Sequence, residues 1–167
     1  WVHGTEVAVE RRRVEVMVPV LLPAGMGSPD HAFRVAHDEA DRELGFMWVG
    51  ALPGAPKDSC FLFDIYVHEE HRGRGVARAM LEWAFDALRA DEVRTLSLSV
   101  RTDNEAALAL YEKLGFVADA TVEGARDLEM RKELGPDPDV ARRHVFEPQK
   151  VVVEGLPTSG LILDIGG

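Results

Sequence analysis

The sequence predicts an α+β domain, a mixed and mostly antiparallel sheet with helices packed against it. Three observations carry that reading. Short runs of strand length, alternating or continuously apolar, recur between residues 33 and 130. Two longer stretches, 72–88 and 104–114, place apolar residues at the three-and-four spacing of a helix face. The order is strand-strand-strand-helix-strand-helix-strand-strand, which suits one sheet covered by helices.

Residues 5–22 set Val7, Val14, Val18, Leu21 and Leu22 on one helical face, with Arg11, Arg12, Arg13 and Glu15 between them. The valines favour strand, so this helix has the weakest support. Pro23, Gly25, Gly27 and Pro29 break the chain after it. Phe33–His37 and Leu44–Val49 read as strands joined by the polar turn Asp38–Arg42. Pro53-Gly54-Ala55-Pro56 is a loop, and Phe61–Val67 is a third strand, completing an antiparallel meander. Arg72–Leu88 is the clearest helix: Val76, Ala77, Met80, Leu81, Ala84, Phe85 and Leu88 form one stripe. Thr95–Val100 alternates Leu96, Leu98 and Val100 with serines, as a half-buried strand does. Asp103 or Asn104 caps a helix running to about Leu114, and Gly115 ends it in a left-handed conformation. Phe116–Val122 and Ala125–Met130 form a closing hairpin around Glu123-Gly124.

Composition bounds the function. The chain has 167 residues, of which 46% are hydrophobic, enough to fill the core of one domain or slightly more. A net charge of -10 argues against non-specific nucleic-acid binding. No apolar stretch has the length of a membrane span, and no signal peptide is visible. Cys60 is the only cysteine, so no disulfide forms within the chain and a reducing cytoplasm is the expected compartment. Its place in the apolar run Cys60-Phe61-Leu62-Phe63 favours a buried small side chain over a catalytic thiol. No histidine has metal-ligand spacing, so no metal is expected. Both ends look cut, which leads us to expect a fragment.

The most informative stretch is Ile65-Tyr66-Val67-His68-Glu69-Glu70-His71-Arg72-Gly73-Arg74-Gly75-Val76-Ala77. An apolar strand gives way to a charged turn, two glycines around an arginine, and a helix. Glycines let a backbone approach a phosphate, and the free amides and dipole of a helix start favour an anion there. The order therefore points to a phosphorylated cofactor. A plain glycine turn before a helix is the other reading of these residues taken alone.

About thirty residues on lies Asn104-Glu105-Ala106-Ala107-Leu108-Ala109-Leu110-Tyr111-Glu112-Lys113-Leu114-Gly115-Phe116. With Glu70-His71-Arg72-Gly73-Arg74-Gly75 before it, this segment makes residues 31–134 resemble the GNAT superfamily of acetyl-CoA-dependent N-acetyltransferases. Their pyrophosphate motif is Gln/Arg-x-x-Gly-x-Gly/Ala, and the later segment is Asn-x-x-Ala-x-x-x-Tyr-x-x-x-Gly-Phe. Glu70 departs from the first position, so it is expected to face solvent. Residues from about Glu6 to Gly27 resemble the family's second helix and following loop. The resemblance thus implies a GNAT-like three-layer fold over 1–134, truncated at its N-terminus.

The resemblance also implies roles. Amides of Gly73, Arg74, Gly75, Val76 and Ala77 would hold the acetyl-CoA pyrophosphate, with charge added by Arg72 and Arg74. The strand around Ile65, Tyr66 and Val67 would splay from its neighbour and pair with the pantetheine amides. A paired core strand is the alternative. Tyr111 would protonate the departing thiolate as general acid, or else be a core tyrosine. Asn104 would touch the cofactor, or only cap its helix. Asp64, placed on the face of Leu62 and Tyr66 by strand alternation, would take a proton from the amine; His37, His68 and Glu69 are weaker candidates. The expected reaction is transfer of acetyl from acetyl-CoA to a primary amine of a small molecule or peptide. The acidic composition slightly favours a cationic acceptor. A homodimer is common in that superfamily. A non-catalytic acyl-CoA-binding module is the rival reading.

From Gly135 the composition becomes that of a linker. The tail 135–167 ends in Leu161-Ile162-Leu163-Asp164-Ile165-Gly166-Gly167, which resembles a parallel strand entering the glycine loop of a class I S-adenosylmethionine-dependent methyltransferase. That resemblance implies a fused acetyltransferase-methyltransferase, with packing on the first domain as the alternative.

Overall fold

The computed structural model describes residues 28–119 and 125–136, and the backbone of 151–153 and 161–164. The helix expected over 5–22 and the Glu123-Gly124 turn lie outside the described residues.

The first three strands form the expected meander. β1 (His31–His37) pairs antiparallel with β2 (Glu43–Gly50), and β2 with β3 (Ser59–Val67). Asp38 closes the first turn: its carboxylate accepts the amides of Ala40 and Arg42, each at 2.9 Å. After β3 comes a short 3-10 turn (Glu69–His71), then α1 (Val76–Ala90). The helix starts at Val76, where its apolar stripe begins, four residues after the expected start at Arg72. Gly73 (φ 71°) and Gly75 (φ 84°) take left-handed backbone, so residues 72–75 form a loop instead of the first turn.

β4 (Thr95–Arg101) returns parallel to β3. α2 (Glu105–Lys113) follows, then β5 (Val117–Ala118) and β6 (Asp127–Glu133). β6 lies between β5 and β4, antiparallel to both. β7 (Val151–Val153) and β8 (Leu161–Asp164) complete a sheet in the order β5-β6-β4-β3-β2-β1-β8-β7. β8 is therefore a strand, as expected, but it runs antiparallel, between β1 and β7.

α1 buries its stripe against the face that carries Met47, Val49, Leu62, Leu96 and Leu98. Met80, Leu81 and Leu88 are fully enclosed there, each contributing on the order of 2 kcal/mol of apolar burial. α2 packs its Ala107, Leu110 and Tyr111 side on the same core. Both described helices thus cover one face of the sheet.

β3 carries a bulge that alternation does not reveal. Trp48 pairs with Asp64, but Val49 pairs with Leu62, leaving Phe63 as an extra residue. Beyond it the side-chain parity inverts. Leu62 is buried in the core, whereas Asp64 and Tyr66 are exposed, and Ile65 and Val67 pack toward the core. Asp64 does share a face with Tyr66, but Leu62 faces the opposite way.

Candidate active site

Parallel pairing between β3 and β4 covers only Ser59–Leu62 against Thr95–Leu98. Past Leu62 the two strands have no ladder between them, and a cleft of about 280 Å³ opens there. Leu62, Phe63, Asp64 and Ile65 form one wall, Leu98 to Arg101 the other, and Asn104, Ala107 and Tyr111 of α2 line the rest. The bulge at Phe63 falls where pairing stops, so the same surplus residue bends the strand away and turns Asp64.

Tyr111 is held by the way α2 ends. Gly115, at φ 84°, terminates the helix; its amide bonds the Glu112 carbonyl, and the Phe116 amide bonds the Tyr111 carbonyl at 3.0 Å. This is a Schellman arrangement, which brings the side chains of Tyr111 and Phe116 together. Their rings meet edge to face with centroids 5.5 Å apart. Burial, and secondarily the negative Asp64, push the Tyr111 hydroxyl up to about 12. The phenol therefore keeps its proton at neutral pH. Asn104 caps the other end of α2, its side chain accepting the Ala107 amide at 3.2 Å. Asp103, the alternative cap, instead takes two hydrogen bonds from Arg101, at 2.9 and 2.6 Å.

The glycine loop presents amides. The Arg72 amide bonds Glu69, and the first amide of α1 to reach a backbone carbonyl is that of Ala79, on Gly75 at 2.9 Å. Among the described residues, the amides of Gly73 through Arg78 donate to no backbone carbonyl. Together with the helix dipole they can bind a diphosphate. Glu70 is exposed, and its own backbone N–H holds its carboxyl below the usual range, so it remains an anion outside the loop. The Arg74 guanidinium lies 3.2 Å from His71 Nδ1.

Residues 17–116 match the acetyltransferase (GNAT) family. The chain belongs to that family. Among curated GNAT relatives it is similar to the uncharacterized N-acetyltransferase YycN of Bacillus subtilis, 36% identical over 97 residues, or 58% of this chain and 62% of that one. It is also similar to the [ribosomal protein bS18]-alanine N-acetyltransferase of Escherichia coli K12, 39% identical over 98 residues, or 52% of this chain and 66% of the other. The chain thus spans about two thirds of the length of these curated relatives. The fold is shared with PaiA N-acetyltransferase from Thermoplasma acidophilum in complex with coenzyme A, at 20% identity and TM-score 0.55, covering 62% of this chain and 61% of that one.

Within this GNAT fold, Asp64, Asn104 and Tyr111 converge on the cleft. Gly73–Ala77 form the loop and first turn beyond the end of β3. Tyr66 and Val67 do not line the cleft. Tyr66 is 39% exposed and stacks on Phe46, with the Arg72 guanidinium over its ring. The Val67 carbonyl accepts Arg72 Nε at 3.0 Å, so it is committed within the chain. The backbone of β3 lacking partners in β4 runs from Phe63 to Val67 and includes the segment around Ile65, Tyr66 and Val67 expected to splay. His37 and His68 turn to Asp41 and Glu43, each at 3.3 Å, and Glu69 sits in the 3-10 turn. The sequence reading missed Phe63, Ser99 and Arg101 as cleft residues. The Arg101-Thr102-Asp103 spacing was visible for Arg101; nothing local marked the bulge. Among the described residues no three His, Cys, Asp or Glu side chains are placed to hold a metal, and no helix is long and apolar enough to cross a membrane.

Proposed function

We propose that the chain is an N-acetyltransferase that carries acetyl from acetyl-CoA to a primary amine of a small molecule or peptide, within a ternary complex. The observation that supports this best is the run of unclaimed amides at Gly73–Arg78, one strand end away from a cleft holding Tyr111 and Asp64. Gly73, Arg74, Gly75, Val76 and Ala77 hold the pyrophosphate, and Arg72 and Arg74 add positive potential around it. The pantetheine arm follows the opening between β3 and β4 toward Asn104, with Tyr66 and Val67 flanking its entry. Asp64 takes a proton from the ammonium, directly or through water. The neutral amine attacks the thioester carbonyl, the C–N bond forms, and the C–S bond breaks. Tyr111 donates to the departing sulfur. A phenol near 12 is a weak acid toward a thiol group of ordinary pKa about 8.5, so its minimum contribution is a hydrogen bond to the thiolate in a dry site. Amide, free thiol and one released proton are the products.

The alanine N-acetyltransferase relative supports a peptide N-terminus as one acceptor class. In this reading residues 1–134 are the acetyltransferase unit and 135–167 a linker and tail, working in the cytoplasm without nucleic acid or membrane, as a monomer or homodimer.

Titration calorimetry with acetyl-CoA, followed by thiol release with an amine panel, tests the proposal. Saturable heat and amine-dependent thiol are expected. No heat with millimolar coenzyme A would overturn it, and binding without turnover of any amine would favour a non-catalytic module.

A further inference from the structure

Both described helices, α1 and α2, cover one face of the sheet, and Asp64 stands on the other, opposite Trp48. That face is aromatic beside the cleft. Trp48 lies between Phe33 and Phe63, stacked on them at 5.0 Å and 4.4 Å with interplanar angles of 18° and 22°. All three side chains are half-buried. The bulge sets Phe63 beside Asp64, and both line the cleft. Asp64 is also the direct cross-strand partner of Trp48. The wall is held in place: the Trp48 Nε1–H donates to His31 Nδ1 at 3.0 Å, and the His31 ring packs on Phe63 with centroids 5.4 Å apart. That bond also occupies the only N–H the indole could offer a polar ligand.

From this arrangement we propose the acceptor's class: a primary ammonium ion on a flat, aromatic skeleton, its ring against Trp48 and Phe63 and its charge at Asp64. The inference rests on the acetyltransferase reading above. Two effects act together. Ring surface leaves water against the uncovered edges of Phe63 and Trp48, where an edge-to-face contact is favourable, and the ammonium meets the Asp64 carboxylate beside them. A hydroxylated or polyamine skeleton would gain the second and lose the first.

The test compares 2-phenylethylamine, ethanolamine, spermidine and an alanine-initiated peptide by thiol release on the full chain, with Trp48→Ala and Trp48→Phe beside it. Phenylethylamine is expected to lead in kcat/KM by about tenfold or more, and Trp48→Ala to raise its KM by about tenfold. The KM for acetyl-CoA should stay within about twofold, and Trp48→Phe should restore most of the loss. A flat panel, or one led by spermidine or the peptide, overturns the inference. So does an unchanged amine KM in Trp48→Ala that retains the parent's circular dichroism. If acetyl-CoA binds and phenylethylamine is not turned over, this inference alone fails. If acetyl-CoA does not bind, the acetyltransferase reading fails with it.

Discussion

Tyr111 owes its position to a glycine four residues away. Gly115 ends α2 in a way that pins Phe116 on Tyr111, leaving the phenol little freedom where it enters the cleft. Tyr111→Phe keeps the ring and removes the donor. It is expected to lower kcat by about 10²-fold with the KM for acetyl-CoA nearly unchanged, measured by steady-state thiol release. Because the hydroxyl titrates near 12, parent and variant should share the shape of their pH profiles below pH 10. A parent profile with an alkaline limb that the variant lacks would contradict the assignment. Tyr111 was legible in the sequence, since its place on an apolar helix face before Gly-Phe is a local pattern. The facing of Asp64 was not. Alternation carried it to the side of Leu62, and one unpaired residue in the strand reversed that.

Among the elements, the geometry rests on β2 and β3 lying close where β3 leaves β4. Gly45 makes that closeness possible. A Cβ there would stand 2.1 Å from the Tyr66 carbonyl oxygen and 2.9 Å from Val67 Cα, both backbone atoms that cannot swing aside. Gly45→Ala is expected to destabilise the protein by about 2 kcal/mol or more and to weaken acetyl-CoA binding, because the end of β3 must shift. Gly54→Ala is the control. That glycine has left-handed backbone but open space around it, so about 1 kcal/mol is expected from backbone strain alone. Denaturant melts and calorimetry on both variants check the contrast. The elements were mostly readable because their signals are short-range: three strands, two helices and the caps of α2 follow from periodicity, Asn104 and glycine placement. The start of α1 was misread because its apolar stripe says nothing of the backbone at Gly73 and Gly75. The opening of β3 from β4 was expected from resemblance, and depends on pairing between segments far apart in the chain.

For the whole molecule, burial of weak acids sets an alkaline limit. Desolvation raises Cys60 from 9.0 to about 12 and Tyr111 from 10.0 to about 12. Between those values the unfolded chain has shed both protons and the folded chain still holds them, so stability falls as pH rises. The thermal midpoint is expected to drop steadily above about pH 9, and Cys60→Ala should make that drop shallower. Iodoacetamide should label Cys60 only as the chain unfolds. The fold class was readable at this scale because one face of each strand and helix had to be buried. The direction of β8 was not, because a four-residue apolar strand carries no record of its neighbour's orientation.

The surplus residue in β3 also has a genetic reading. Deleting the Phe63 codon removes no acid, no phenol and no glycine from the site, yet it restores strict two-residue periodicity to everything downstream in that strand. Asp64 and Tyr66 would still face outward and Ile65 and Val67 inward, but a strand without its bulge would run straight alongside β4 and close the gap between them. Such a deletion should give folded protein that no longer binds acetyl-CoA by calorimetry, whereas Phe63→Leu, which keeps the count, should still bind it. In this strand the number of residues, more than the identity of any one of them, decides whether the opening exists.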